Sequence, residues 1–375
     1  MELSSKERIL RIFRNEEVDR PALKLWGATP DEELLHPAYR PIHTLAMQTS
    51  DLFDMADSPF DILFDRQERR PFTEQVSDTA HPDWKEKRTT LHAPMGDLVM
   101  VERFSTVGEP GYVLEHFVKE AADLENILSM PWTPFPADLG AMHRKTARMG
   151  DRGIVVCGLD HAGYALHRLT GSETLALLSV DDRALVSESV RVFSSRIRTH
   201  ARAMIDAGFR GVFGWVGPEL WIPPLMAPRD FEEFVFPFDK TLCDDIHEAG
   251  GHVWVHCHGK VADFIGRYID MGVDVLNPLE PPPNGDIHLS DTLSRFGRRI
   301  GLEGNIEIQD ILQADPDTLR TRIEDCVREG ARGGRFILCP SAGYMEYPFP
   351  TERYLSNLQL YLTHGLACCK AASHR

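Results

Sequence analysis

The sequence predicts an α/β chain folded as a single (β/α)8 TIM barrel over residues 1–375, with an N-terminal helical extension and an inserted β-meander at 88–117. Three observations lead there. From Ala122 onward, strand-like and helix-like segments exchange places repeatedly, which requires parallel strands joined by crossover helices. No strand is followed by Gly-x-Gly-x-x-Gly, and no Gly-x-x-x-x-Gly-Lys-[Ser/Thr] occurs, so the glycine-rich cradles of nucleotide-binding sheets are missing. Polar side chains gather instead where the strands stop, and barrel enzymes carry their chemistry at the carboxyl ends of several strands.

In chain order, Ser4-Ser5-Lys6-Glu7 is a capping box and Ile9, Leu10, Ile12 and Phe13 recur at helical spacing, so a first helix begins near Ser5. Pro21 disfavours helix before it, and Ala22 to Trp26 reads as a short strand. Residues 28–80 scatter aromatics among Asp and Pro, with weak helical patterning and one strand expected at Asp61–Phe64. The meander has strands at Thr89–His92, Leu98–Phe104 and Tyr112–Phe117, cut by Pro94-Met95-Gly96 and Gly108-Glu109-Pro110-Gly111. Helices at Ala122–Met130 and Asp138–Gly150 lead to a strand at Ile154–Leu159; helices at Ser172–Ser179 and Asp182–Ala207 lead to one at Gly211–Trp215. A helix at Pro228–Ala249 precedes the strand Val253-Trp254-Val255, and a helix at Val261–Met271 precedes a strand at Val273–Leu279. Helix Ser290–Phe296, strand Arg299–Gly304, helix Asp315–Glu329, strand Arg335–Pro340 and helix Glu352–Lys370 complete the series.

Composition narrows the partners. A formal charge of −16 argues against a general nucleic-acid binder, which needs clustered Lys and Arg. No window approaches the roughly 18 uninterrupted apolar residues of a membrane span, and the first residues lack a basic region followed by an apolar core. Seven cysteines at irregular spacings suit a reducing cytoplasm better than a disulfide framework. A small-molecule substrate is expected, with self-association left open.

The chemistry centres on Gly251 to Gly259, G-H-V-W-V-H-C-H-G. Side chains alternate along a strand, so His256 and His258 share one face while Cys257 points to the other. Two imidazoles one pleat apart can grip one metal ion; the alternative is one packed and one hydrogen-bonded histidine. Glu280 closes a strand before three prolines and is held rigidly, which suits acid–base work or a structural role equally. Glu219 lies in a loop after a strand, facing either the pocket or solvent. Asp160, Trp215 and Tyr344 stand near strand ends, where they can wall a ligand pocket or simply pack the barrel mouth.

The order of E-R-I-L-R-I-F-R-N-E-E-V-D-R-P, M-A-P-R-D-F-E-E-F-V-F-P-F-D-K, H-C-H-G, G-V-D-V-L-N-P-L-E-P-P and G-L-E-G-N-I-E resembles the uroporphyrinogen decarboxylase superfamily. That superfamily also holds zinc- and corrinoid-linked methyltransferases, and the resemblance implies a TIM barrel. The decarboxylases carry an Arg-Gln-Ala-Gly-Arg-Tyr run whose arginines bind substrate carboxylates. Here Leu25-Trp26-Gly27-Ala28-Thr29-Pro30 stands in its place, without either arginine. Pro59-Phe60-Asp61-Ile62-Leu63 loosely matches the stretch holding the decarboxylases' catalytic aspartate, and their Gly-His-Gly-Ile is replaced by Ser341-Ala342-Gly343-Tyr344. The methyltransferase branch is closer. Its His-x-Cys-Gly zinc motif carries His onto His256 and Cys onto His258, while its second Cys falls on Ala342, leaving Cys339 as the nearest thiol.

The resemblance therefore implies zinc held by His256, His258 and Cys339, with a carboxylate such as Glu219 completing an open site. The implied function is metal-assisted methyl transfer on a small molecule, as a corrinoid-linked methyltransferase or demethylase component, with Glu219 and Glu280 catalytic. The corrinoid would be carried by a partner protein, because the chain contains no Asp-x-His-x-x-Gly segment. The alternatives are a decarboxylase or lyase acting on a small acid other than a tetrapyrrole, and a ligand-binding barrel without catalysis.

Overall fold

The computed structural model describes residues 2–30, 36–63, 72–345 and 350–372. Barrel strands β1 (Ala22–Leu23) and β2 (Leu52–Asp57) precede an insertion of four strands, β3 (Phe72–Asp78), β4 (Trp84–Ala93), β5 (Gly96–Ser105) and β6 (Tyr112–Glu115). The barrel resumes with β7 (Gly153–Leu159), β8 (Val212–Val216), β9 (His252–His256), β10 (Val275–Leu279), β11 (Gly301–Ile306) and β12 (Phe336–Pro340). The eight barrel strands run parallel in the order β1-β12-β11-β10-β9-β8-β7-β2. At the remaining seam Asp51 N–H donates to the Leu23 carbonyl at 2.7 Å, and Leu23 N–H donates to Asp51 Oδ2 at 2.8 Å. Buried Asp51 also accepts from Arg8 (2.6 Å) and Arg20 (2.8 Å), so its charge is met on both sides.

The N-terminal extension, Ser5–Phe13, plugs the amino end of the barrel. Ser4 caps it by accepting from Glu7 N–H, and Ile9, Ile12 and Phe13 bury themselves against inward-facing Phe53, Val212 and Trp254. Arg335 ties this plug to the strands, donating to the carbonyls of Ile12, Phe13, Arg298 and Asp274. The opposite end is thereby left as the open mouth. Among the described residues no helix is long and apolar enough to cross a membrane.

Several boundaries differ from the sequence reading. The insertion's sheet begins at Phe72, because β3 is an almost wholly exposed strand whose Thr-Glu-Gln-Val-Ser-Asp run lacks an apolar face. The strand expected at Asp61–Phe64 does not form over 61–63, and Phe64 lies outside the described residues; Asp61 instead caps a turn, its Oδ1 accepting from Leu63 N–H at 2.8 Å. The true strand there is β2, whose Asp54 and Asp57 mask it. The helix expected at Pro228–Ala249 is two, Pro228–Phe234 and Phe236–Glu248, with Pro237 in the first turn of the second.

Candidate functional site

Strand β9 reads as expected. Val253, Val255 and Cys257 pack outward into the main core, while Trp254 and His256 face the barrel interior. At the mouth the His256 and His258 rings lie 4.5 Å apart, centroid to centroid, at 81°.

Each ring is fixed from behind. His256 Nδ1 lies 2.6 Å from Asn277 Oδ1, and Asn277 Nδ2 donates to Glu303 Oε1 at 2.9 Å. Because Glu303 takes the amide's donor side, Oδ1 is left as acceptor and the His256 proton sits on Nδ1. The Nε2 lone pair is therefore presented forward. Burial, reinforced by His258, pushes the His256 pKa down to about 3, so this ring is neutral near pH 7. His258 Nδ1 donates to Glu280 Oε1 at 3.0 Å, while Gly259 N–H donates to Glu280 Oε2 at 2.8 Å. Burial lowers the His258 pKa, but the Glu280 hydrogen bond and the charges of Glu280, Glu219 and Glu307 outweigh it and raise the net value. For Glu280, burial pulls upward and the His258 and Gly259 bonds win, holding its carboxyl below the usual range. The side chain of His258 is 44% exposed, so its Nε2 edge is open to an incoming molecule.

Glu303 is the hub beneath. It accepts from Lys24 Nζ at 2.6 Å and from Trp254 Nε1 at 2.9 Å, besides Asn277. Lys24 is enclosed, its ammonium 3.5 Å from the Trp26 ring centroid and 3.7 Å from that of Phe53. Cys339 belongs to this layer and not to a metal shell. It is fully buried against Glu303 and Asn277, its thiol 3.2 Å from the Pro340 carbonyl, and burial pushes its pKa well up, away from the thiolate a metal requires.

The remaining candidates are dispersed. Glu219 Oε2 accepts from Gly217 N–H at 3.1 Å, and its carboxyl is raised by burial although His161 and His258 act on it. Asp160, raised mainly by burial, stands at the end of β7, two strands round from β9, beside Arg168, Asp61 and Asp57. Trp215 does not wall the pocket. It is buried facing the helix layer, its indole N–H donating to Asp239 at 2.9 Å, because Gly214 takes the inward position against Trp254 and Val156. Tyr344 stacks on Tyr39 at 4.8 Å, and its hydroxyl has no partner among the described residues.

Sequence reasoning missed Asn277, Lys24 and Glu307. Asn277 pairs with His256 across β9 and β10, so a partner position on the neighbouring strand was the usable signal. Glu307 closes the G-N-I-E run just past the end of β11: it is 5% exposed, its Oε2 accepts from Asn284 at 3.1 Å, and its Oε1 has no partner among the described residues.

The zinc implied by the resemblance was tested on this donor set. Two neutral-capable imidazoles with anchored Nδ1 atoms fit in kind. A catalytic zinc site takes three protein ligands. Among the described residues no group of three or more His, Cys, Asp or Glu side chains is assembled to hold a metal ion. The set is one ligand short and does not fit zinc as it stands.

An α/β barrel whose ionisable groups converge at the carboxyl ends of its strands has the layout of the barrel enzymes. A family model described as uroporphyrinogen decarboxylase (URO-D) matches residues 152–351, just over half the chain. The chain belongs to the uroporphyrinogen decarboxylase family. Uroporphyrinogen decarboxylases of Parasynechococcus marenigrum (strain WH8102) and Synechococcus sp. (strain CC9605) are each 27% identical over 150 residues. Those matches span 39% of this chain and only 39% of either relative's length. A methyltransferase from Methanosarcina mazei superposes with a TM-score of 0.58 at 16% identity, covering 96% of this chain and 98% of that one, which places the fold.

Proposed function

We propose that the protein is a methyltransferase that works on a small molecule bound at the barrel mouth. The observation that carries this reading is the His256–His258 pair, two imidazoles 4.5 Å apart whose Nδ1 atoms are tied back to Asn277 and Glu280. Both Nε2 edges then face the reactants. His258, polarised by the Glu280 carboxylate, takes the proton of the methyl acceptor, and Glu280 steadies the imidazolium that results. His256 stays neutral and accepts a hydrogen bond, while Glu219 is the second carboxylate within electrostatic reach of His258. The solved methyltransferase that shares the fold shows that this barrel can host methyl transfer. The mouth adds to this: Glu219, Glu280 and Glu307 all act on His258, a charge balance that disfavours a polycarboxylated substrate.

The methyl donor in this reading is either a small methylated compound or a corrinoid carried on a partner protein that docks at the mouth. Zinc enters only as a further proposal, since two imidazoles would leave its other positions to exogenous ligands. The test is methyl transfer from a deuteromethyl-labelled donor, methylcobalamin included, to a thiol acceptor, followed by mass spectrometry. Labelled product that vanishes in His258→Ala supports the proposal. Carbon dioxide release from a small acid, with no labelled product from any donor, would replace it with decarboxylation. Elemental analysis of chelator-free protein decides zinc: stoichiometric metal lost in His256→Ala/His258→Ala supports it, and metal-free protein under saturating zinc removes it.

A further inference from the structure

We propose that His161 is a positioning residue of the barrel mouth: its buried ring seats the turn Pro218–Trp221 and thereby fixes Glu219. The inference rests on reading Glu219 as part of the active site and adds what holds it there. The turn leaves the carboxyl end of β8, where Val216 is in register with His256 of β9, so it starts level with the histidine pair. Two close contacts, each made possible by a missing Cβ, clamp it onto the start of helix Ala162–Asp181. In front, Gly217 lies on the His161 ring: a Cβ there would stand 2.6 Å from Nδ1 and 2.9 Å from Cγ, and φ is +136°, a conformation that favours glycine. Behind, the Trp221 ring lies on Gly163, whose Cβ would stand 1.9 Å from Nε1. Glu219 sits between these contacts, and its Oε2 accepts from Gly217 N–H at 3.1 Å, which ties the carboxylate to the residue resting on His161.

The ring is itself held in one plane and one tautomer. His161 is 4% exposed and caps the helix, its Nδ1 accepting from Gly163 N–H at 3.2 Å. The ring proton therefore sits on Nε2, which stands 3.5 Å from Asp239 Oδ2. Asp239 is fixed in turn by Trp215, whose indole N–H donates to the same oxygen at 2.9 Å. A cap alone calls for a short side chain, and Asn, Asp or Ser serves best there. A ring anchored on both nitrogens and packed against a glycine adds what a short cap cannot: it sets the height of the Gly217 backbone. Burial raises the Glu219 carboxyl while His161 and His258 both act on it, in keeping with a carboxylate that stands between the two rings. Shifting Gly217 then shifts Glu219 against His258, and a displacement of about 1 Å can cost about 10²-fold in rate.

The experiment uses the full chain and four variants: His161→Asn, which keeps a helix cap and removes the ring; Asp239→Asn, which removes the anion facing Nε2; Glu219→Gln; and the pair His161→Asn/Glu219→Gln. Hydrogen–deuterium exchange by mass spectrometry is followed over the turn, 216–222, and over the helix start, 162–166, beside melting temperature and methyl-transfer rate. In His161→Asn, exchange should quicken about tenfold or more across the turn, where the Gly217 amide loses the Glu219 carboxylate, with the helix start unchanged. Its kcat should fall about 10- to 10²-fold with KM within about twofold, and the double variant should be no slower than Glu219→Gln, since both changes act through one carboxylate. Asp239→Asn should show the same pattern at smaller size, and it carries the test should His161→Asn fail to fold. Unchanged exchange in the turn, loosening of the helix start alone, or rate losses that multiply in the double variant would overturn the proposal. Faster exchange in the turn of His161→Asn, with no methyl transfer by the wild type, would sink the proposed reaction and leave this inference standing. Methyl transfer by the wild type, with a turn indifferent to both His161→Asn and Asp239→Asn, would do the reverse.

Discussion

Replacing Glu303 by Gln tests the architecture that holds the site. Glu303 is fully buried and accepts from Lys24, Trp254 and Asn277 at 2.6, 2.9 and 2.9 Å. Gln keeps the shape but not the charge, so the enclosed Lys24 ammonium loses its anion. Breaking a buried pair from one side costs about 3–5 kcal/mol. Lys24→Met, facing the same Trp26 and Phe53 rings, removes the cation and leaves Glu303 charged with two N–H donors, so it should cost somewhat less. The double variant Lys24→Met/Glu303→Gln removes both charges, and methionine packs well on aromatic rings. Its destabilisation should fall about 2 kcal/mol or more below the sum of the singles, since neither charge is stranded. The assay is reversible urea unfolding of all four proteins at pH 7, with stability taken by linear extrapolation. Nitrogen NMR of the imidazoles adds an independent reading: in Glu303→Gln the Asn277 amide is free to flip, and the His256 proton should begin to appear on Nε2. Single-variant losses that add to the double within about 0.5 kcal/mol would refute the coupling, and an unchanged tautomer would refute the relay through Asn277.

The other predictions concern the mouth and the opposite end of the barrel. His258→Gln should lower turnover about 10²–10⁴-fold, with stability within about 1 kcal/mol of wild type, because the side chain is 44% exposed; Glu280→Gln should lower it less. Initial rates beside melting temperatures check both. Gly163→Ala should destabilise by about 1–3 kcal/mol in the same urea assay, since its Cβ would lie 1.9 Å from Nε1 of the buried Trp221 ring. At the amino end, His247 Nε2 and Asp274 Oδ2 are 2.9 Å apart; the Asp274 hydrogen bond, opposed by burial, raises His247. For Asp274, burial raises the carboxyl but the His247 and His252 bonds outweigh it and lower the net value. The His247 contribution is complete below its unfolded pKa and lost as pH rises through the raised folded value. The Asp274 contribution is complete above its unfolded pKa and lost as pH falls through the depressed one. Stability from this pair should therefore peak between about pH 4 and 6.5, by under about 1 kcal/mol because His247 is 35% exposed, and Asp274→Asn should flatten that peak in urea melts taken across the range.

Where sequence and structure agree, a period carries the agreement. The β9 run Val253-Trp254-Val255 and the shared face of His256 and His258 follow from alternation alone, and the crossover order follows from strands exchanging with helices. The failures have equally physical causes. β2 escaped notice because Asp54 and Asp57 interrupt its apolar run, although Asp54 is buried and its carboxylate accepts from Lys145 at 3.1 Å. Trp215 was misplaced because parity on β8 is set by Gly214, which leaves space for Trp254 on the inner side. Cys339 was drawn toward the histidines by its position at a strand end. A strand end fixes height but not chemistry, and burial, reinforced by the neighbouring Glu303, keeps that thiol protonated.

Those same neighbours explain why an interior this polar is retained. The inner side of the barrel is apolar where the first helix plugs it, at Phe53, Val212 and Trp254, and turns polar one pleat higher, where Lys24, Glu303 and Asn277 interlock. An apolar layer there would pack as well and avoid the desolvation of two charges. What it could not do is hand His256 a carbonyl acceptor of fixed orientation. Glu303 fixes Asn277, Asn277 fixes the proton of His256, and the lone pair reaches the mouth beside His258, whose own proton is fixed by Glu280. Both anchors come from β10, Asn277 within it and Glu280 just past its end, but they differ in charge, one a neutral amide and one a carboxylate. They therefore set the rings apart chemically, one neutral acceptor and one proton carrier, at a separation of 4.5 Å.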